Sequence, residues 1–154
     1  MSLTYLDSSA VVKRYVTETG STWVIRLCER EPIVVSLVTM VEIASALARR
    51  THEGVITVQQ RDTLFRLFLR DTRSFVVVDC DQSIAQQAAA LLLTAPAPLR
   101  LRSLDALHVA SARWTFARAR RRGVATGNFV TADRALIKAA EWAGLDTINP
   151  EDWV

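Results

Sequence analysis

Short β-branched runs alternate with longer stretches of helical periodicity along the chain. Thr4-Tyr5-Leu6 is an apolar run that ends in Asp7 and passes into a small-residue turn, Ser8-Ser9-Ala10. A helix through Val11, Val12, Tyr15 and Val16 should follow, capped by Ser8 or Ser9 and ended by Gly20. A second helix is expected around Ser21 to Arg30, stopping at Pro32, and Ile33-Val34-Val35-Ser36-Leu37 has the make-up of a buried parallel strand. Thr39-Met40-Val41-Glu42 fits a capping box and opens a helix carrying Ile43, Ala44, Leu47 and Ala48. Thr57 should start another, apolar on much of its circumference through Leu64, Phe65, Leu67, Phe68 and Leu69, so that the core or a partner chain must cover it.

Phe75 to Asp79 reads as a third strand, Asp81 as the cap of a helix through Ile84, Ala88, Leu91 and Leu92, and Ser103 as the cap of a helix from Leu104 to about Arg122. Phe129-Val130-Thr131 is a brief fourth strand. Asp133 opens a helix that Gly144 ends, and Leu145 to Ile148 offers an edge strand. Crossovers this long suit parallel pairing, so the pattern predicts an α/β fold, a three-layer α/β/α arrangement around a central, mainly parallel sheet. Pro96-Ala97-Pro98 is the one linker-like break and is too short to divide the chain, so residues 1–154 are expected to form a single domain.

Composition changes the picture only a little. The chain is 50% hydrophobic and 23% charged with a formal net charge of +3, and 17 of its 19 basic residues are arginine, the side chain that forks onto phosphate. That leans toward a polyanionic partner. Cys28 and Cys80 lie in unrelated apolar contexts, which suits thiols of a reducing compartment and makes a zinc site improbable. No basic N-terminal region precedes an apolar run, and no segment approaches 18 uninterrupted apolar residues. The expectation is therefore a cytoplasmic protein with no membrane partner.

Right-handed crossovers gather the strand carboxyl ends on one edge, where open α/β sheets bind ligands. Asp7 follows strand one, Glu42 lies a few residues past strand two, Asp133 follows strand four, and Asp105 sits in the first turn of a helix that need only point at the same edge. Two carboxylates 4 Å apart repel by roughly 4 kcal/mol at an effective dielectric of 20, so four converging acids call for a compensating cation or protonation. Oxygen donors without Cys or His suit Mg²⁺ or Mn²⁺. Singly, each acid but one has a plainer role: Glu42 as capping-box partner, Asp105 as a first-turn acid, Asp133 as an N-cap. Asp7 has no such explanation in the pattern. Asp79 is a weaker candidate.

Tyr5-Leu6-Asp7-Ser8-Ser9-Ala10, Ser36 through Ala44 around Glu42, Leu104-Asp105-Ala106-Leu107-His108-Val109-Ala110 and Val130-Thr131-Ala132-Asp133, in this order and over nearly the whole chain, resemble the PIN-domain ribonucleases, and within them the VapC-type toxins of type II toxin–antitoxin pairs. The resemblance implies an acidic pocket binding Mg²⁺ or Mn²⁺ for hydrolysis of RNA. Carried over, Asp7 and Asp105 are the principal metal ligands and catalytic acids, Glu42 a third that binds metal or orients water, and Asp133 a fourth reached through water. Ser8 and Thr131 are hydroxyls that steady the carboxylates. A cognate antitoxin threading a segment over the pocket, and a homodimer, are implied in the same way. The run Arg118-Ala119-Arg120-Arg121-Arg122, with Gly127-Asn128, departs from the usual lead into the fourth strand.

Lys13, Arg14, Arg49, Arg50, Arg118, Arg120, Arg121 and Arg122 are candidates for an RNA-binding groove, their plainer role being a solvated helix face. His108 reads as a core histidine or a support for an acid, His52 as a solvated helix-end cation, and the four tryptophans as core or interface residues. Three other functions fit parts of the pattern. A structure-specific DNA nuclease would need clamping elements for which the chain is short. A receiver-like phosphoacceptor domain needs an acid such as Asp79 and a late lysine, but Lys138 falls inside a helix. A non-catalytic nucleic-acid-binding module would bind metal without turnover.

Overall fold

The computed structural model describes residues 1–153. Five strands, β1 (Leu3–Leu6), β2 (Ile33–Ser36), β3 (Val76–Val78), β4 (Thr126–Val130) and β5 (Thr147–Ile148), form one sheet in the order β3-β2-β1-β4-β5, every pair parallel. The helices are α1 (Ser8–Val11), α2 (Ser21–Arg30), α3 (Val38–His52), α4 (Val58–Asp71), α5 (Gln82–Thr94), α6 (Ser103–Arg121) and α7 (Arg134–Trp142). The α/β fold class is as the pattern predicts. Each strand sends alternate side chains to opposite faces. Tyr5, Val34 and Phe129 pack against α5, α6 and α7, whereas Leu6, Ile33, Val35 and Val130 pack against α1, α2, α3 and α4. Two apolar layers therefore sandwich the sheet, and each fully buried Leu, Ile or Phe in them is worth roughly 1.5–3 kcal/mol.

The chain builds outward from β1 through β2 to β3, then returns to the other side of β1 for β4 and β5. Between β1 and β4 the strand order reverses, and a crevice opens beyond their carboxyl ends, the usual ligand position in such sheets. Asp7 leaves β1 there, and Thr131 and Asp133 follow β4. The Asp7 N–H donates to the Val130 carbonyl at 3.1 Å, locking the two strand ends together.

The fourth strand starts at Thr126 rather than Phe129, and helix starts differ from the pattern in three places. Asp7 itself, not Ser8 or Ser9, caps α1, its Oδ1 accepting from the Ala10 N–H at 3.0 Å; α1 stops at Val11 and gives way to a 3-10 turn over Val12–Arg14. The Thr39–Glu42 capping box does not form, because α3 already begins at Val38; Thr39 is wholly buried inside it and Glu42 is left for other partners. The α6 cap is Arg102 rather than Ser103, its N–H donating to Asp105 Oδ2 at 3.3 Å. Thr57 and Asp81 cap α4 and α5 as expected. On α4 the core covers Phe68 fully and Leu64 and Phe65 partly, while Leu69 stays exposed.

Gly20 adopts φ +86°, and a Cβ there would lie 2.7 Å from the Pro150 carbonyl oxygen. Gly20→Ala is expected to cost about 1–3 kcal/mol from backbone strain. The measurement is the urea midpoint, which should fall without a change of slope.

Candidate active site

Asp7 is only 4% exposed and is held on both carboxylate oxygens. Oδ1 accepts from Ser9 Oγ at 2.7 Å and from the Ala10 N–H, and Oδ2 accepts from Thr131 Oγ1 at 2.8 Å. Burial pushes its carboxyl pKa above the ordinary value, against the lowering pull of nearby His108 and of these hydrogen bonds. A buried acid so placed gains from a cation beside it.

Glu42 projects from α3 into the same crevice. Its Oε2 accepts from Ser8 Oγ and from His108 Nε2, the latter at 2.6 Å. His108, buried in α6, is bound on its other side by the Tyr5 hydroxyl at 2.7 Å. Burial raises the Tyr5 pKa well above its normal value, with the Asp7 and Glu42 charges adding to the effect. A carboxylate only accepts, so His108 Nε2 carries a hydrogen toward Glu42. Burial alone would raise Glu42, but the His108 and Ser8 hydrogen bonds outweigh it and bring the carboxyl below its ordinary value. Tyr5 is itself fixed by stacking on Phe129, ring centroids 5.2 Å apart and nearly coplanar, so core packing aims the chain from Tyr5 through His108 to Glu42.

Asp105, mostly buried in the first turn of α6, accepts from Arg102 Nε at 3.0 Å through Oδ2. Asp133 caps α7 through Oδ1, which accepts from the Ala135 and Leu136 N–H groups, and its Oδ2 accepts from Arg102 Nη2 at 3.3 Å. Ser8, Ser9, Glu42, Arg102 and Asp133 line one cleft of about 750 Å³, together with Lys13, Arg49 and Arg50 and the acids Glu18 and Glu151. Lys13 is buried, tied to Glu18 at 3.1 Å and Glu151 at 2.7 Å, and Arg50 shares Glu18 at 2.7 Å.

Of the basic residues read from the sequence, only those three line the cleft. Arg14 turns away to Asp71, at 3.0 Å. Arg118, Arg120, Arg121 and Arg122 follow Asp105 by 13 to 17 positions on α6, roughly 20–25 Å along its axis, and do not join the acids. Asp79 stands beyond β3, two strands from Asp7, and Lys138 lies within α7, so no receiver-like pairing forms. Ser8 supports Glu42 and Thr131 supports Asp7. Pattern reading passed over Ser9, which also accepts from the Ala132 N–H at 2.9 Å and so ties α1 to the loop after β4. The one local signal was a second hydroxyl two residues past the acid.

Among the described residues, no three acids, histidines or cysteines stand close enough together to hold a metal ion as placed. The donors nonetheless suit a hard divalent ion. Glu42 Oε1 and Asp105 Oδ1 receive none of the hydrogen bonds described above, and Mg²⁺ is usually held by one or two carboxylates with water filling the rest of its shell.

A sequence model of the PIN domain matches residues 4–141 of the chain. The chain belongs to the PIN-domain family. Ribonuclease VapC46 of Mycobacterium tuberculosis (strain ATCC 25618 / H37Rv) is 30% identical to this PIN domain over 151 residues, covering 97% of this chain and 99% of the relative. Mycobacterium tuberculosis VapC20, a sarcin-ricin loop cleaving toxin, shares the fold with a TM-score of 0.63 at 17% identity, over 92% of this chain and 95% of that one. A toxin-antitoxin complex from Klebsiella pneumoniae contains a chain matching this PIN domain with a TM-score of 0.56 at 19% identity, over 97% and 98% of the two chains. The motif resemblance to VapC-type PIN domains is thereby borne out.

Proposed function

We propose that this PIN domain is a divalent-metal-dependent endoribonuclease that acts as the toxin of a toxin–antitoxin pair. The observation that carries the reading is the set of acids at the carboxyl ends of β1 and β4: Glu42 and Asp133 line one cleft, Arg102 links Asp133 to Asp105, and Thr131 ties Asp7 to the loop that carries Asp133. Kinship with a curated VapC ribonuclease supports RNA as the substrate class. Asp7 and Asp105 would hold Mg²⁺ or Mn²⁺, with Glu42 and Asp133 reaching it directly or through water. When bound, such an ion polarises the phosphodiester and lowers the pKa of water.

The chain's own groups do the positioning. Ser9, Thr131 and the Ala10 N–H hold Asp7 in one rotamer. His108 and Ser8 occupy Glu42 Oε2, which leaves Oε1 to accept a hydrogen bond from the attacking water and orient it. Arg49, which has no carboxylate partner among the described residues, offers the cleft a positive charge for an RNA backbone, while Lys13 and Arg50 are held by Glu18 and Glu151. The likeness to a toxin-antitoxin complex supports an antitoxin partner laid over this cleft. No helix among the described residues is long and apolar enough to cross a membrane, and a cytoplasmic homodimer is the proposed working form.

Total RNA incubated with purified protein should give discrete fragments with Mg²⁺ or Mn²⁺ and none with EDTA. Folded, inhibitor-free protein that binds Mn²⁺ yet cuts no RNA would move the reading to a non-catalytic binding module, and cutting of branched DNA alone would move it to a DNA nuclease.

A further inference from the structure

Arg102 is, among the described residues, the one lysine or arginine whose head touches any of the four acids. Its side chain is 76% exposed, yet its fork is spent on two carboxylates from different elements, Nε on Asp105 and Nη2 on Asp133. A surface arginine gains little from such solvent-screened pairs, so stability is a weak reason for this geometry. The helix cap does not need the guanidinium either, because the backbone N–H of Arg102 already meets Asp105.

The two oxygens it occupies, Asp105 Oδ2 and Asp133 Oδ2, belong to the carboxylates proposed to hold the ion, so the guanidinium neutralises the same charges and repels an ion arriving at the free Asp105 Oδ1. Of the five N–H donors on a guanidinium, three have no protein partner here. Arg102 also lines the cleft beside Ser8, Ser9 and Glu42. A planar, permanently charged fork at that place matches the non-bridging oxygens of a phosphodiester.

We infer that Arg102 stands in for the divalent ion on Asp105 and Asp133 and, once released from them, clamps the scissile phosphate as a catalytic residue. The inference rests on the nuclease reading above. In the hydrolysis it serves, a water oxygen bonds to phosphorus as the bond to the leaving ribose oxygen breaks; the water gives up one proton and the leaving oxygen gains one. Arg102 keeps its protons throughout and supplies charge where negative charge grows on the phosphoryl oxygens.

The test compares wild type, Arg102→Ala and Arg102→Lys in two assays: calorimetric titration with MnCl₂ alone, and single-turnover cleavage of an RNA that the wild type cuts. Arg102→Ala should bind Mn²⁺ roughly 2- to 30-fold more tightly, the range two exposed ion pairs allow. Its cleavage rate should fall by about 10²–10³-fold, the usual loss of one preorganised donor. Arg102→Lys should bind Mn²⁺ within about twofold of wild type, since a cation remains over the acids, and should still cleave slowly for want of a fork. Unchanged or weaker Mn²⁺ binding by Arg102→Ala overturns the competing hold. Undiminished cleavage overturns the phosphate clamp. If the wild type cuts no RNA, the nuclease reading and the clamp fall together, while the MnCl₂ titration still decides the hold.

Discussion

Asp7→Asn should abolish RNA cleavage and at the same time raise the melting temperature of the metal-free protein. The two effects share one cause. Burial lifts the folded-state pKa of Asp7 above its unfolded value, so the group stabilises the fold fully below the unfolded carboxylate pKa and loses that contribution as pH rises through the folded value. Above its folded pKa the ionised Asp7 is a cost that its hydrogen bonds offset in part and a bound cation would offset further. Asparagine keeps the shape and removes the charge, and a gain of about 1 kcal/mol would appear as roughly 2–4 °C in a chain of this size. Thermal melts with and without Mg²⁺ check this. Mg²⁺ should raise the wild-type transition and leave that of Asp7→Asn where it is. The gap between the two metal-free proteins should close as pH falls through the carboxylate range. A variant no more stable than wild type at pH 7 would show that Ser9, Thr131 and the Ala10 N–H already compensate the buried charge.

His108→Leu is expected to lower kcat by about 10–100-fold, the usual cost of losing a group that orients a metal-binding carboxylate. KM should change little, because His108 lies beneath Glu42 and away from the cleft wall. The same variant leaves the buried Tyr5 hydroxyl without its His108 partner, at about 1–3 kcal/mol of stability. Tyr5→Phe in the His108→Leu background removes the orphaned hydroxyl, so stability should recover in part while kcat stays low. A double-mutant cycle on denaturation and turnover together separates the two roles. Recovery of both would reduce His108 to a packing residue.

The strands were legible because β-branched runs such as Ile33-Val34-Val35 have few other uses, whereas an acid at a strand's end was ambiguous, since Asp79 follows β3 just as Asp7 follows β1. The caps of α4, α5 and α7 were legible too, but those of α1, α3 and α6 were not. Asp7, Ser8 and Ser9 can all cap, and only the pairing of β1 with β4 decides that Asp7 turns into the helix. The Thr39–Glu42 pattern failed for a related reason. Starting α3 at Val38 buries Thr39 in the core and swings Glu42 toward His108, 66 positions away. No local window holds the Tyr5–His108 contact, which spans 103 positions, or the meeting of Arg102 with Asp133. The arginines at 118 to 122 misled because charge density on a helix says nothing about which end faces the acids.

The central position of β1 bears on how the protein comes into being. Its neighbour β4 is translated some 120 residues later, and at about 5–20 residues per second the first strand waits roughly 6–24 s for that neighbour. Until then Asp7 lacks Thr131, Asp133 is missing from the crevice, and one edge of β1 lies open. The proposed site therefore stays incomplete in the growing chain until β4 and the loop after it have emerged and paired with β1.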